Sequence, residues 1–203
     1  LREDLQGVYM GSILSSLSKT VIAGFILLGI IVAIFGNVNF LEPAWLAFAF
    51  RWLHVMVGVM WIGLLWYFNF VQIPCMPRIS DEHKPAISKV IAPEALFWFR
   101  YSALLTVVTG LIVAWLNGYG HNALMLGEGY QAIGIGMWLA IIMAINVWFI
   151  IWPNQKRALG IIDAEPEIKA KSAKVAMLTS RTNTLLSVPM LYLMVAQQNV
   201  GLG

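Results

Sequence analysis

Residues 52–77, WLHVMVGVMWIGLLWYFNFVQIPCMP, run without a charged side chain between Arg51 and Arg78. A helix crosses the hydrocarbon core of a bilayer with about 20 residues, so this stretch is long enough to span. It predicts a transmembrane helix carrying one imidazole, His54, about a turn inside one end. Other stretches repeat the pattern. Thr20 to Leu41 lies uncharged between Lys19 and Glu42, Tyr101 to Asn117 follows Arg100, and Tyr130 to Gln155 precedes Lys156 and Arg157. A last stretch begins after Arg181 and holds Pro189 in its interior. Five spans are predicted, packed as an all-α integral membrane bundle.

Composition agrees with that reading. Of 203 residues, 60% are hydrophobic and 11% charged, and mean hydropathy is +0.77. A soluble domain carries about 25% charged residues to face water. These values exclude a soluble enzyme, a disordered tail and a nucleic-acid binder, and leave lipid as the main solvent. The single cysteine, Cys75, excludes an intrachain disulfide framework, a multi-cysteine zinc site and a CxxCH attachment site for c-type haem. Leu1 to Lys19 does not read as a signal peptide: Glu3 and Asp4 sit where positive charge is required, and the apolar run that follows is too long.

The basic residues set an orientation. Two precede the first span, four lie between the second and third, and six between the fourth and fifth, so twelve of thirteen Lys and Arg share one side and only Arg51 takes the other. Because basic loops stay cytoplasmic, the N-terminus is expected inside and the C-terminus outside. This also accounts for the net charge of +3 without an anionic ligand. Gly136, Ala140 and Ala144 form a small-residue row that lets another helix approach, as do Gly29 and Ala33. Pro166 suits a helix first turn, so the fifth helix is expected to begin several turns before the bilayer. Residues 1–41 read as an N-terminal segment with one span, and 42–203 as a four-helix membrane domain.

His54 is the residue most suggestive of chemistry. Gly58 and Trp61 follow at i+4 and i+7 on the same helical face. An imidazole to ligate iron, a neighbour without a side chain and an aromatic wall are what a porphyrin needs. Arg51, at i−3, could pair a propionate at the water boundary. The plainer reading is a neutral histidine bonded to a carbonyl, with Arg51 as an interface anchor. His121, in the short loop on the same side, is the candidate second ligand, or else a solvated loop residue. Ten methionines, Met56, Met60, Met137 and Met143 among them, offer thioethers, though most are expected to be packing. Asn69, Gln72, Arg100, Asn146, Arg181, Thr182 and Asn183 gather toward the opposite ends of the spans. Asn69 is ~22 Å along the helix from His54, so this group is separate. It suits either an anionic or quinone-like ligand or hydrogen bonding between helices.

Three blocks, Arg51-Trp-Leu-His54 through Gly63, Asn146-Val-Trp148 through Lys156, and Ser180-Arg-Thr-Asn183 through Pro189, resemble the N-terminal membrane domain of bacterial urate hydroxylases. The resemblance implies a multi-pass bacterial inner-membrane protein. Broader relatives that share a histidine ahead of a Trp-apolar-Gly block include copper-resistance membrane proteins and the haem-binding membrane protoporphyrinogen oxidases, which strengthens the expectation of a b-type haem on His54. Two positions depart from the family. The chain contains no CxxCH for the family's cytochrome c domain, and Thr182 stands where the family places a histidine. Two functions follow. One is a redox protein with its haem on His54, served by a separate electron carrier. The other is a non-catalytic accessory subunit of a larger membrane complex. No nucleic-acid partner is expected.

Overall fold

The computed structural model describes residues 11–36, 39–40 and 42–202, and every regular element among them is helical. Glu3, Asp4, Leu41 and Gly203, which entered the sequence reading, lie outside the described residues. The chain divides into two compact units, Leu1–Trp45 and Leu46–Gly203.

The first unit contains α1, Leu17–Phe35. Ser16 enters it from an extended conformation, and Gly36 leaves it extended with its N–H still bonded to the Val32 carbonyl. Thr20 Oγ1 returns a hydrogen bond to the Ser16 carbonyl at 3.0 Å, which keeps the hydroxyl satisfied away from water. Val21, Phe25, Ile26, Leu27, Ile30 and Ile34 are exposed on several faces. A helix apolar all round suits lipid rather than water.

The second unit is built from α2 (Pro43–Arg78), α3 (Lys84–Leu116), the short α4 (Gly120–Leu124), α5 (Gln131–Ala158) and α6 (Pro166–Ala196). Helix α2 begins in the last residues of the first unit. Among the described residues four helices, α1, α2, α3 and α5, are long and apolar enough to cross a membrane. The sequence count of five adds α6. That helix has 31 residues and starts at Pro166, but Arg181, Thr182, Asn183 and Ser187 make it more polar than the other four.

Three of these helices contain a wide turn with i→i+5 hydrogen bonding: Tyr67–Gln72 in α2, Ile87–Ile91 in α3 and Asn146–Ile151 in α5. Each ends two residues before a proline, namely Pro74, Pro93 and Pro153. Proline lacks an N–H, and its ring collides with the carbonyl four residues back; widening the turn relieves the collision without ending the helix. Side-chain donors then reach the carbonyls just ahead. Asn69 Nδ2 bonds Leu65 O at 2.9 Å, Ser88 Oγ bonds Lys84 O at 3.1 Å, and Asn183 Nδ2 bonds Met143 O at 2.9 Å. Pro189 is handled differently. Helix α6 stays α-helical through it, and Ser187 Oγ donates to the Thr184 carbonyl at 2.7 Å, one residue before the carbonyl that Pro189 frees.

The core is centred on Trp61, Leu65, Leu96, Phe99, Met143, Val147 and Ile151. Lipid tails are as apolar as leucine, so contact between these helices is gained by close packing rather than by escape from water. The small-residue row of α5 is where that happens. A Cβ on Gly136 would stand 3.3 Å from Leu193 Cβ and 3.5 Å from Met194 N, so the α6 backbone rests almost directly on the glycine. Helix α3 closes with Gly118 at φ 75°, a left-handed turn in which Gly118 N–H bonds Trp115 O and Tyr119 N–H bonds Ala114 O. Helix α4 then folds back on α5, where Gly134 meets the Ala123 carbonyl with no room for a Cβ.

Gly134→Ala is therefore expected to destabilise the bundle by about 1–3 kcal/mol, the usual cost of overpacking. Thermal unfolding in detergent should show a lowered midpoint, and an unchanged midpoint would refute the close approach of α4.

Candidate functional site

His54 lies about three turns into α2, in the half of the bundle nearer the 117–130 loop. Its Nδ1 lies 2.9 Å from the Thr106 carbonyl and 3.3 Å from Thr109 Oγ1, both on α3. A carbonyl can only accept, so Nδ1 carries the proton and Nε2 keeps its lone pair. Thr106 and Thr109 also bond back to Ser102 O and Leu105 O, which fixes their rotamers. The ring lies against Gly110, where a Cβ would come within 2.8 Å of Cε1. Beside it is a cavity of about 30 Å³, room for one water-sized group, which Met137 of α5 and Met194 of α6 also line. One histidine and two methionines are thus among its lining residues, side-chain types that can ligate haem iron or another soft metal.

The other residues singled out with His54 stand apart from this cavity. Arg51 Nη2 donates to Asn117 Oδ1 at 3.3 Å, tying the start of the His54 stretch to the cap of α3. Gly58 faces Thr106, whose Cγ2 would lie 3.8 Å from an added Cβ; the glycine against the imidazole is Gly110. Trp61 is 0% exposed within the core, and its indole N–H has no partner there. His121 is exposed on α4. Sequence reasoning missed Thr106, Thr109 and Gly110, although their i, i+3, i+4 spacing marks a single face of α3.

The second polar group assembles at the basic end. Asn69 Nδ2 bonds Ser180 Oγ at 2.8 Å, and Asn146 Nδ2 bonds Asn183 Oδ1 at 2.8 Å. Trp66 Nε1 bonds Ser187 Oγ at 3.0 Å. These contacts join α2 and α5 to α6 through the half of α6 that is too polar to pass as a simple span. Arg181 and Thr182 are exposed, and Thr182 Oγ1 bonds within its own helix to Leu178 O. Arg100 is buried at 9% exposure, with its guanidinium Cζ 3.4 Å from the Trp152 ring centroid and 6.0 Å from that of Trp148. Trp148 Nε1 donates to the Arg100 carbonyl at 3.2 Å.

Asn183 is fully buried and makes two of these interhelical contacts. Hydrogen bonds between membrane helices are worth about 0.6 kcal/mol each, rising to ~1.7. Asn183→Leu should cost about 1–3 kcal/mol, because it also leaves the buried side-chain amide of Asn146 without its acceptor. Urea or thermal unfolding should show the loss, with Thr182→Leu as the near-neutral neighbour.

No curated protein and no solved structure matches the chain. One family does. Residues 128–200, which contain all of α5 and α6 and two of the three blocks recognised in the sequence, match the model of the family described as urate oxidase N-terminal, and over that stretch the resemblance to this family is borne out.

Proposed function

We propose that this chain is a multi-pass redox protein of the bacterial inner membrane that carries a b-type haem on His54. The observation that carries the reading is the imidazole's setting: Nδ1 is committed to the Thr106 carbonyl, so Nε2 is left with its lone pair, and the side chain borders a cavity also lined by Met137 and Met194. A backbone acceptor on the far nitrogen is the usual arrangement behind a metal-bound histidine. His54 Nε2 would hold the iron, with a thioether of Met137 or Met194 as its partner; His121, on α4, is the alternative. When bound, the haem would supply one-electron exchange. The chain's own residues fix the imidazole's tautomer, keep Cβ bulk away from the ring at Gly110, and exclude water with apolar neighbours. Arg51 stands at the same end as a cation for a propionate, and Gly58 and Trp61 support the helix face that bears the ligand.

The topology in this proposal has α6 as the fifth span, with the N-terminus and the basic loops cytoplasmic and the C-terminus outside. The distribution of Lys and Arg supports it. Lys156 and Arg157 in the last turn of α5 also suit the negative end of that helix.

A second reading is favoured by one specific observation. The cavity at His54 is water-sized, about 30 Å³, so a porphyrin would have to displace Met137, Ile141 and Met194. If nothing displaces them, His54 is a structural hydrogen-bond donor and the chain an accessory subunit of a membrane complex.

Absorbance decides between the two. Protein purified from a haem-replete host should show a Soret band and a positive pyridine haemochrome assay. His54→Ala should lose both while circular dichroism stays helical, and Gly110→Ala should lower haem content by pressing on the ring. A wild type without haem would sink the cofactor assignment and leave the accessory reading.

Orientation is tested separately, by single-cysteine labelling in intact cells after Cys75→Ser. A cysteine at position 121 should react from outside and one at position 83 only after permeabilisation. Labelling of position 121 from the cytoplasmic side alone would overturn the topology.

A further inference from the structure

Arg100 is a buried cation without a counter-charge. Its guanidinium makes no hydrogen bond and no ion pair among the described residues, and Nε and Nη1 are sealed from the surroundings. Stacking on Trp152 at 3.4 Å occupies the flat face of the group. The N–H donors point outward in the plane of the guanidinium, so stacking leaves Nε and Nη1 unmet. A second cation shares the same indole: Lys156 Nζ lies 5.6 Å from the Trp152 centroid. The ion pairs among the described residues, Lys84 with Asp81 and Lys169 with Asp163, leave both cations unpaired. Two unpaired positive charges on one indole, one of them buried, call for an oxyanion from elsewhere.

An apolar groove runs away from this pair. It has a volume of about 330 Å³ between α3 and α5, and its walls include Leu104, Ile141, Ala144, Ile145, Trp148 and Phe149. Phe149 is 75% exposed and Ile145 49%, so the groove opens at the bundle surface, where lipid would be. Leu104 lies one helical turn from Arg100, and Trp148 is in contact with both the groove and the guanidinium. Residues 141–149 cover ~12 Å along α5, most of the ~15 Å depth of one leaflet.

We propose that Arg100 and Lys156 bind the phosphate of an anionic phospholipid, with one acyl chain seated in the groove between α3 and α5. The charge comes from the pair on Trp152 and the fit to a lipid from the groove. The site lies at the basic end of the bundle, where electrostatics favours anionic lipid. The groove shares Ile141 with the His54 cavity, while the charged pair stands at the basic end.

Native mass spectrometry of the intact protein, delipidated in detergent and supplied with phosphatidylglycerol or phosphatidylcholine, tests the proposal. Wild type should retain phosphatidylglycerol preferentially. Arg100→Gln and Lys156→Gln should each lower that retention about fivefold, from the roughly 1 kcal/mol per cation typical of anionic lipid. Ala144→Trp fills the groove without changing charge and should lower it as well, which keeps the test open if Arg100→Gln fails to fold. Equal retention of the two lipids, or indifference to both charge variants, would overturn the proposal. So would displacement by inorganic phosphate with Ala144→Trp behaving as wild type, which would mark a soluble oxyanion site.

Discussion

Within lipid every backbone carbonyl must find a donor in the protein itself. In this chain that constraint falls hardest at the prolines. Pro74, Pro93 and Pro153 each sit inside a helix long enough to cross a membrane, and each is preceded by a wide turn. The turns remove the clash, and Asn69, Ser88 and Asn183 add side-chain donors to the carbonyls just ahead of them. Two of the three, Asn69 and Asn183, also bind the neighbouring helix, so the repair of individual helices and the assembly of the bundle share side chains. The polar half of α6 follows from this. It carries Ser180, Asn183 and Ser187 because α2 and α5 need what those residues offer.

Much of the fold was legible. Helices α1, α2, α3 and α5 were read from uncharged runs, and the start of α6 from Pro166, because length and charge are local properties. The network at the basic end was visible as a set of residue types but not as pairs. Nothing in the sequence says that Asn146 meets Asn183 while Arg181 and Thr182 turn outward. That depends on the rotation of α6, which packing decides. The wide turns were missed for a related reason: a proline inside an apolar run announces a disturbance but not whether the helix ends, bends or widens.

The site was read less completely. His54 stands out as an ionisable residue in an apolar run, and its own helix supplied Gly58 and Trp61 as natural companions. Its actual neighbours come from other helices: Thr106, Thr109 and Gly110 from α3, Met137 from α5 and Met194 from α6. Reasoning along one helix finds residues on a common face, whereas a site between helices is assembled from several. The two blocks recognised beyond residue 128 fall within the matched family region and describe the α5–α6 pair. That pair forms one wall of the His54 cavity, and its α5 half forms one side of the groove beside Arg100.

A wide turn has a further effect, on phase. An i→i+5 turn takes in one more residue than an α-turn, and one residue is worth about 100° of rotation about the helix axis. Everything beyond it on the same helix is shifted by that angle. In α5 the turn at Asn146–Ile151 lies between Gly136, which faces α6, and Trp152, which lies under Arg100. The face presented to one neighbour before the turn is thus decoupled from the face presented after it. A single helix can serve two partners that an unbroken α-helix of the same sequence could not satisfy together. Such a turn amounts to a one-residue insertion. A relative without Pro153 would be expected to align with this chain only through a one-residue gap near Asn146, with both flanking stretches in register on either side.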